Sequence, residues 1–133
     1  MLRLVGLKCV IASQLSKMGP EYITKLVFDP EHECGVLLQN NRVIGGCVFC
    51  RFRKCKVCEL VFLAVDSAYQ WKGNGSKIIT HFKDKLATEG FKVALTCADN
   101  EAILFFKKQG FSFTLISPSF FQRSSSNTIS MAL

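Results

Sequence analysis

Long apolar runs are missing from this 133-residue chain. The longest, Leu60–Val65, is far short of the ~20 residues a membrane-spanning helix needs. No signal-peptide core or small-residue cleavage site follows Met1, so the expected compartment is intracellular. Acidic residues are scarce, 10 against 17 lysines and arginines, giving a net charge of +7. That imbalance favours an anionic ligand, whether nucleic acid, a membrane surface or a phosphorylated cofactor, without choosing among them. Histidine is nearly absent: His32 and His81 have no motif partners and read as surface or helix-packing residues. Charged residues reach only 20% against 49% hydrophobic, which excludes a disordered chain. The length suits one core, so residues 1–133 are expected to form a single domain.

Cysteine is the residue in excess, with seven copies. An odd count at irregular spacing argues against a secreted disulfide framework and fits reduced thiols in a cytosolic or nuclear setting. Cys47, Cys50, Cys55 and Cys58 have C-x2-C-x4-C-x2-C spacing, which invites a zinc or iron–sulfur reading. A zinc ribbon separates its knuckles by about a dozen residues or more, whereas four suit a tight hairpin. In extended strands, positions three apart also point to opposite faces. No metal is therefore expected. No histidine lies near these thiols in sequence to make one a nucleophile.

Apolar spacing over Leu7–Lys17 predicts a helix, and Pro20 opens a second through about Val27. Cys34–Leu38 and Arg42–Phe52 read as strands joined by an Asn40-Asn41 turn. Arg51, Arg53, Lys54 and Lys56 crowd the next turn. Without interleaved Tyr or Trp, or any nucleic-acid-binding motif, they read as a solvated hairpin. Val57–Val65 is apolar on both faces and so central in a sheet. A helix over Lys77–Glu89 ends at Gly90; a strand over Phe91–Cys97 follows. Asp99 or Asn100 caps a helix through Gln109, and Phe111–Ile116 is the last strand. The Ser-rich tail from Ser117 has no assignable pattern. This order predicts a mixed α/β domain, an antiparallel meander followed by a parallel crossover, with helices on both faces.

Between the central strand and the amphipathic helix lies Gln70-Trp71-Lys72-Gly73-Asn74-Gly75-Ser76. Glycines allow close backbone approach, and a helix start offers unpaired N–H groups with partial positive charge. Together they suit a phosphate or pyrophosphate, with Lys72 adding charge. By itself the pattern is equally an ordinary turn before a helix. A P-loop is excluded because no Lys-Ser/Thr pair follows the second glycine. A dinucleotide-binding turn is excluded because position 78 is Ile.

The Gln-x-x-Gly-x-Gly segment following Glu59–Val65 resembles motif A of the GNAT superfamily. The chain is most similar to the general-control-nonderepressed type of histone lysine acetyltransferase. Leu15-Ser-Lys-Met18, Glu21-Tyr-Ile23 and Arg42-Val-Ile-Gly-Gly46 resemble the earlier segments of that group; Thr96-Cys-Ala-Asp99 and Phe106-Lys-Lys-Gln-Gly-Phe111 resemble the later ones. The likeness covers residues 4–113, with 114–133 divergent. It implies the GNAT fold, acetyl-CoA as co-substrate, and direct acetyl transfer to a protein lysine, with a histone tail as substrate.

Carried over residue by residue, the resemblance makes Glu59 the general base. A lysine with pKa near 10.4 is protonated at neutral pH and cannot attack a thioester; a carboxylate in apolar surroundings can take its proton. By pattern alone, Glu59 is also readable as a solvated glutamate at a strand start. The resemblance further places the oxyanion-binding main-chain donor at Leu63. Pairing with the pantetheine arm falls to Leu63, Ala64 and Val65. The pyrophosphate falls to Gln70, Trp71, Lys72, Gly73, Asn74, Gly75 and Ser76, and a further coenzyme A contact to Glu101, Ala102, Ile103 and Leu104. Ala102 and Ile103 read equally as helix core. Phe105 and Cys97 stand where the family has tyrosines, and the family's first strand has no counterpart before the first helix. A nuclear location, chromatin regulation and association with chromatin-modifying subunits are also implied. The alternatives are an acetyltransferase of non-histone substrates and a catalytically inactive acetyl-CoA-binding subunit.

Overall fold

The computed structural model describes residues 2–15, 18–98, 101–113 and 128–133. Two helices, α1 (Leu2–Gln14) and α2 (Pro20–Val27), precede the strands β1 (His32–Gln39), β2 (Arg42–Phe52) and β3 (Val57–Val65). Then come α3 (Asn74–Thr88), β4 (Val93–Cys97), α4 (Ile103–Lys108), β5 (Ser112–Phe113) and β6 (Thr128–Ala132). The six-stranded sheet runs β1-β2-β3-β4-β6-β5. All its pairings are antiparallel except β3 with β4, the crossover through α3. The expected mixed α/β architecture is what forms.

Two cores flank the sheet. On one face Leu7, Val10, Ile11, Ile23 and Val27 of α1 and α2 pack on Val48, Phe62 and Ala64. On the other, Ile78, Ile79, Phe82 and Leu86 of α3, with Phe106 and Phe111, cover Cys47, Phe49, Cys58, Leu60 and Ile129. Each fully buried Leu, Ile or Phe contributes roughly 1.5–3 kcal/mol. β3 serves both cores because it carries a bulge. Val48 pairs with Phe62 but Phe49 pairs with Leu60, leaving Val61 as the extra residue. Cys58 and Leu60 therefore face α3, whereas Phe62 and Ala64 face α1 and α2.

Several boundaries depart from the sequence reading. The first helix lies earlier, Leu2–Gln14 rather than Leu7–Lys17, and Leu15 follows it; Ser16 and Lys17 fall outside the described residues. Helix α3 starts at Asn74, not Lys77, because Gly73 takes the left-handed conformation at its N-cap (φ 81) and Lys77 N–H already donates to Gly73 O. Phe91 precedes its strand: Gly90 (φ 87) closes the helix and Phe91 N–H donates back to Leu86 O. The proposed caps Asp99 and Asn100 lie outside the described residues, as do 114–116 of the expected last strand. The tail, which showed no pattern, supplies β6, inserted between β4 and β5 with Ile129 fully buried.

Arg51 is the clearest correction. In sequence it reads as part of a solvated turn, yet its side chain is only 8% exposed. It lies within 5.5 and 5.7 Å of the Phe49 and Phe91 ring centroids and donates to Glu33 at 2.9 Å and Glu89 at 2.6 Å. Strand alternation explains this, since Arg51 pairs with Cys58 on the α3 face. Arg53, Lys54 and Lys56 are exposed as expected.

Candidate active site

Strands β3 and β4 pair from Val57–Val93 to Leu60–Thr96 and then part. The buried Thr96 hydroxyl donates to Leu60 O at 3.0 Å, at the last paired position. Beyond it, Leu63, Ala64 and Val65 are paired to β2 on one side and have no strand on the other among the described residues. Asp66 N–H donates to Ile44 O on β2, so alternation turns the main-chain groups of Val65 and Leu63 toward the cleft. A donor at Leu63 thus faces the opening.

Glu59 stands one residue before this parting and is the one buried acidic residue among those described. It projects to the α1/α2 side, opposite to Cys58 and Leu60. Its cross-strand neighbour is Cys50, whose own neighbour on β1 is His32, so His32, Cys50 and Glu59 form a row across three strands. The Nδ1 atom of His32 is buried 3.5 Å from Asp29 Oδ2 without forming a hydrogen bond. Burial pushes the Cys50 thiol up from 9.0, and the fields of Glu59, Glu31, Asp29 and Glu33 push it further. The carboxylates of Glu31 and Asp29 thus act, with Glu59, on the thiol that stands next to Glu59 across the strands. Sequence reasoning did not find this row, because its members are far apart in the chain and only the hairpin register aligns them.

At the cleft's outer end the Gln70–Ser76 segment divides into loop and helix. The Gln70 side chain donates to Val65 O at 2.8 Å and to Gln14 Oε1 at 2.7 Å, so it braces the loop against β3 and α1. Trp71 is almost wholly exposed with φ 65. Asn74 is buried and donates to Tyr69 O at 2.8 Å. The N–H groups of Asn74, Gly75 and Ser76 precede the first intrahelical bond, and no acidic residue stands in the first turn. A Cβ on Gly73 would meet nothing within 4 Å, which leaves room over the helix start. Lys72 and Lys77 add positive charge.

α4 closes the third side. A Cβ on Gly75 would lie 3.2 Å from the Phe105 ring, and Gln109 donates to Ser76 Oγ at 2.9 Å, so α4 packs against the start of α3. Ala102 and Ile103 join the core; Glu101 and Leu104 are exposed. Among the described residues no three His, Cys, Asp or Glu side chains converge to hold a metal. Cys47 and Cys58 are buried under α3 and burial pushes both thiols up to about 12, while Cys55 is exposed in the turn.

Residues 9–111, which carry this helix start and the cleft between the parted strands, match the model of the Acetyltransferase (GNAT) family. The chain belongs to the GNAT acetyltransferase family. It is 44% identical over 111 residues to histone acetyltransferase GCN5 of Yarrowia lipolytica, covering 82% of this chain and 24% of that protein. The chain therefore spans about a quarter of that relative's length. Among solved structures, Tetrahymena GCN5 is 37% identical with a TM-score of 0.90, covering 97% of this chain and 85% of that one. The Tetrahymena GCN5 catalytic domain in complex with coenzyme A is likewise 37% identical, with a TM-score of 0.77 over 99% of this chain and 84% of that one. The GNAT fold expected from the sequence is thus shown.

Proposed function

We propose that this chain transfers an acetyl group from acetyl-CoA to a protein lysine, with histone tails as the substrate class and Glu59 as the general base. The observation that carries the reading is the parting of β3 from β4 directly after a buried glutamate. The α3 start would hold the pyrophosphate through the N–H groups of Asn74–Ser76 with Lys72 and Lys77 beside it. The edge at Leu63–Val65, where the Gln70 amide already donates to Val65 O, would pair with the pantetheine arm as an added strand. The acetyl carbonyl would then lie near Leu63 N–H, at the root of the cleft beside Glu59.

Glu59 takes one proton from the acceptor ammonium, and the neutral amine attacks the thioester carbonyl. Leu63 N–H donates to the oxygen as negative charge develops there. Collapse of the tetrahedral species breaks the C–S bond and releases coenzyme A as its thiolate, which takes up the second proton lost by the attacking nitrogen; Phe105 offers no hydroxyl. Glu59, with the fields of Glu31 and Asp29 reaching its neighbour Cys50, favours a cationic acceptor despite the chain's net positive charge. The names of the similar proteins, histone acetyltransferases of yeast and Tetrahymena, support the substrate class. A nuclear site of action and partner subunits of a chromatin-modifying complex follow from that same reading.

The test is acetyl transfer to histone tail peptides by the wild-type chain and Glu59→Gln, with coenzyme A binding measured alongside. Turnover falls about 100-fold or more at neutral pH and recovers in part at high pH, where the amine is already neutral; coenzyme A binding stays near wild type. Equal turnover in the two proteins removes Glu59 as base. Coenzyme A binding without wild-type turnover identifies a binding subunit instead. Gly73→Asp abolishes coenzyme A binding if the loop holds the pyrophosphate, since it adds negative charge at a residue with φ 81.

A further inference from the structure

Gln14 is the last residue of α1. It follows Leu7, Val10 and Ile11 at helical spacing, so it continues the face that α1 packs on the sheet. Those three side chains are buried in the second core, which fixes where the end of that face sits. The Gln14 side-chain oxygen accepts from the Gln70 amide at 2.7 Å, across 56 positions of chain. No step of acetyl transfer uses this contact.

The Gln70 amide nitrogen carries two hydrogens. One goes to Gln14 Oε1 and the other to Val65 O at 2.8 Å. Val65 is the last residue of β3, and its carbonyl faces the cleft because the next N–H, that of Asp66, is turned to β2. Gln70 therefore sits on the outermost acceptor of the strand edge. Reversing its amide would set two oxygens against Val65 O and Gln14 Oε1. Gln14 is oriented in turn: its nitrogen donates to Ser13 Oγ at 3.4 Å, and the Ser13 hydroxyl donates to Val10 O at 2.8 Å. The chain of donors thus has one sense, with a main-chain carbonyl at each end.

We propose that Gln14 is a positioning residue for coenzyme A: through Gln70 it sets the spacing between the pantetheine edge at Leu63–Val65 and the pyrophosphate loop at Asn74–Ser76. The inference rests on the cofactor placement proposed above and adds to it a residue of α1. Coenzyme A is one covalent chain, so its pyrophosphate and its acyl end are not placed independently. A loop that slid on β3 would hold the pyrophosphate only by shifting the register at Leu63. The Gln14–Gln70–Val65 link ties the loop to the end of β3 and to a helix held by the core. The ordering is thus met on folding rather than on binding, which raises affinity. Once the cofactor is bound it holds the register itself, so the link acts on binding and not on the chemical step.

The test is a double-mutant cycle on coenzyme A affinity, measured by titration calorimetry on the full chain with Gln14→Met, Gln70→Met and the pair. Methionine keeps the side-chain length and removes the hydrogen-bonding groups. Gln14→Met is expected to weaken coenzyme A about tenfold, and the pair to bind no more weakly than Gln70→Met alone. In acetyl transfer the change falls on the acetyl-CoA KM, while kcat and the acceptor KM stay within about twofold of wild type. Additive losses in the pair overturn the proposal, because Gln14 then acts without Gln70. So does a lowered kcat or a raised acceptor KM in Gln14→Met, the mark of a displaced α1. Unchanged coenzyme A affinity in Gln14→Met, beside a wild type that binds, overturns this inference and leaves the cofactor placement standing. A wild-type chain that binds no coenzyme A removes that placement, and this inference with it.

Discussion

Arg51 carries the most consequential single side chain outside the cleft. Its guanidinium lies close to two aromatic rings and joins β1, β2 and α3 through Glu33 and Glu89. Both carboxylates are 39% exposed, so the pairs are screened and the loss is below that of a fully buried network. Arg51→Met is expected to lower unfolding free energy by about 2–3 kcal/mol in urea titration, and Arg51→Lys by less, since one ion pair can remain. The buried thiols set a different dependence. Cys47 and Cys58 rise from 9.0 to about 12 in the folded chain, in both cases chiefly through burial, so between those values the unfolded state binds fewer protons. Their contribution is complete below pH about 9 and is lost as pH rises toward about 12. Urea midpoints should fall across that window, less steeply in Cys47→Ala/Cys58→Ala after allowing for its lower starting stability.

At the level of elements, the β1–β2 pair depends on bare backbone. A Cβ on Gly46 would collide with the Gly35 carbonyl oxygen and lie 2.7 Å from Leu7 Cδ1. Neither a ladder carbonyl nor a fully buried Leu7 can yield cheaply. Gly46→Ala is expected to cost about 3 kcal/mol, seen as a lowered urea midpoint, and to loosen α1 from the sheet. The β3 bulge matters as much. Without the extra residue at Val61, Leu63 would exchange faces with Phe62, the second core would lose Phe62, and the main-chain groups facing the cleft would change.

For the molecule as a whole, the last strand decides whether there is a cleft at all. β6 pairs with all five residues of β4 and fills the core with Ile129. Removing residues 128–133 strips β4 of its outer partner and leaves an isoleucine-sized hole, a loss of roughly 2–5 kcal/mol from the cavity alone. Since small domains have only about 5–15 kcal/mol in hand, the truncated chain should lose its cooperative thermal transition by circular dichroism and bind no coenzyme A.

Much of the architecture is legible in the amino-acid order because its signals are local. The 3.6-residue stripe of Ile78, Ile79, Phe82 and Leu86, the two-sided apolarity of Val57–Val65 and the Asn40-Asn41 turn each declare their element within a few residues. The Gln70–Ser76 loop reads, for the same reason, either as an anion site or as an ordinary turn before a helix. What the sequence could not display depends on partners distant in the chain. Residues 128–132 are too short and mixed to announce a strand; pairing with β4 makes them one. Arg51 reads as one of a basic cluster until register turns it inward against Glu33 and Glu89. The row of His32, Cys50 and Glu59, and the parting of β3 from β4 that gives Glu59 its position, exist only after strands separated by up to 36 positions, from Glu59 to Leu95, have aligned. Local periodicity and turn chemistry thus set the elements, and the resemblance of the Glu59–Gly75 and Phe106–Phe111 segments pointed to the family, while long-range register decided which side chains meet at the cleft.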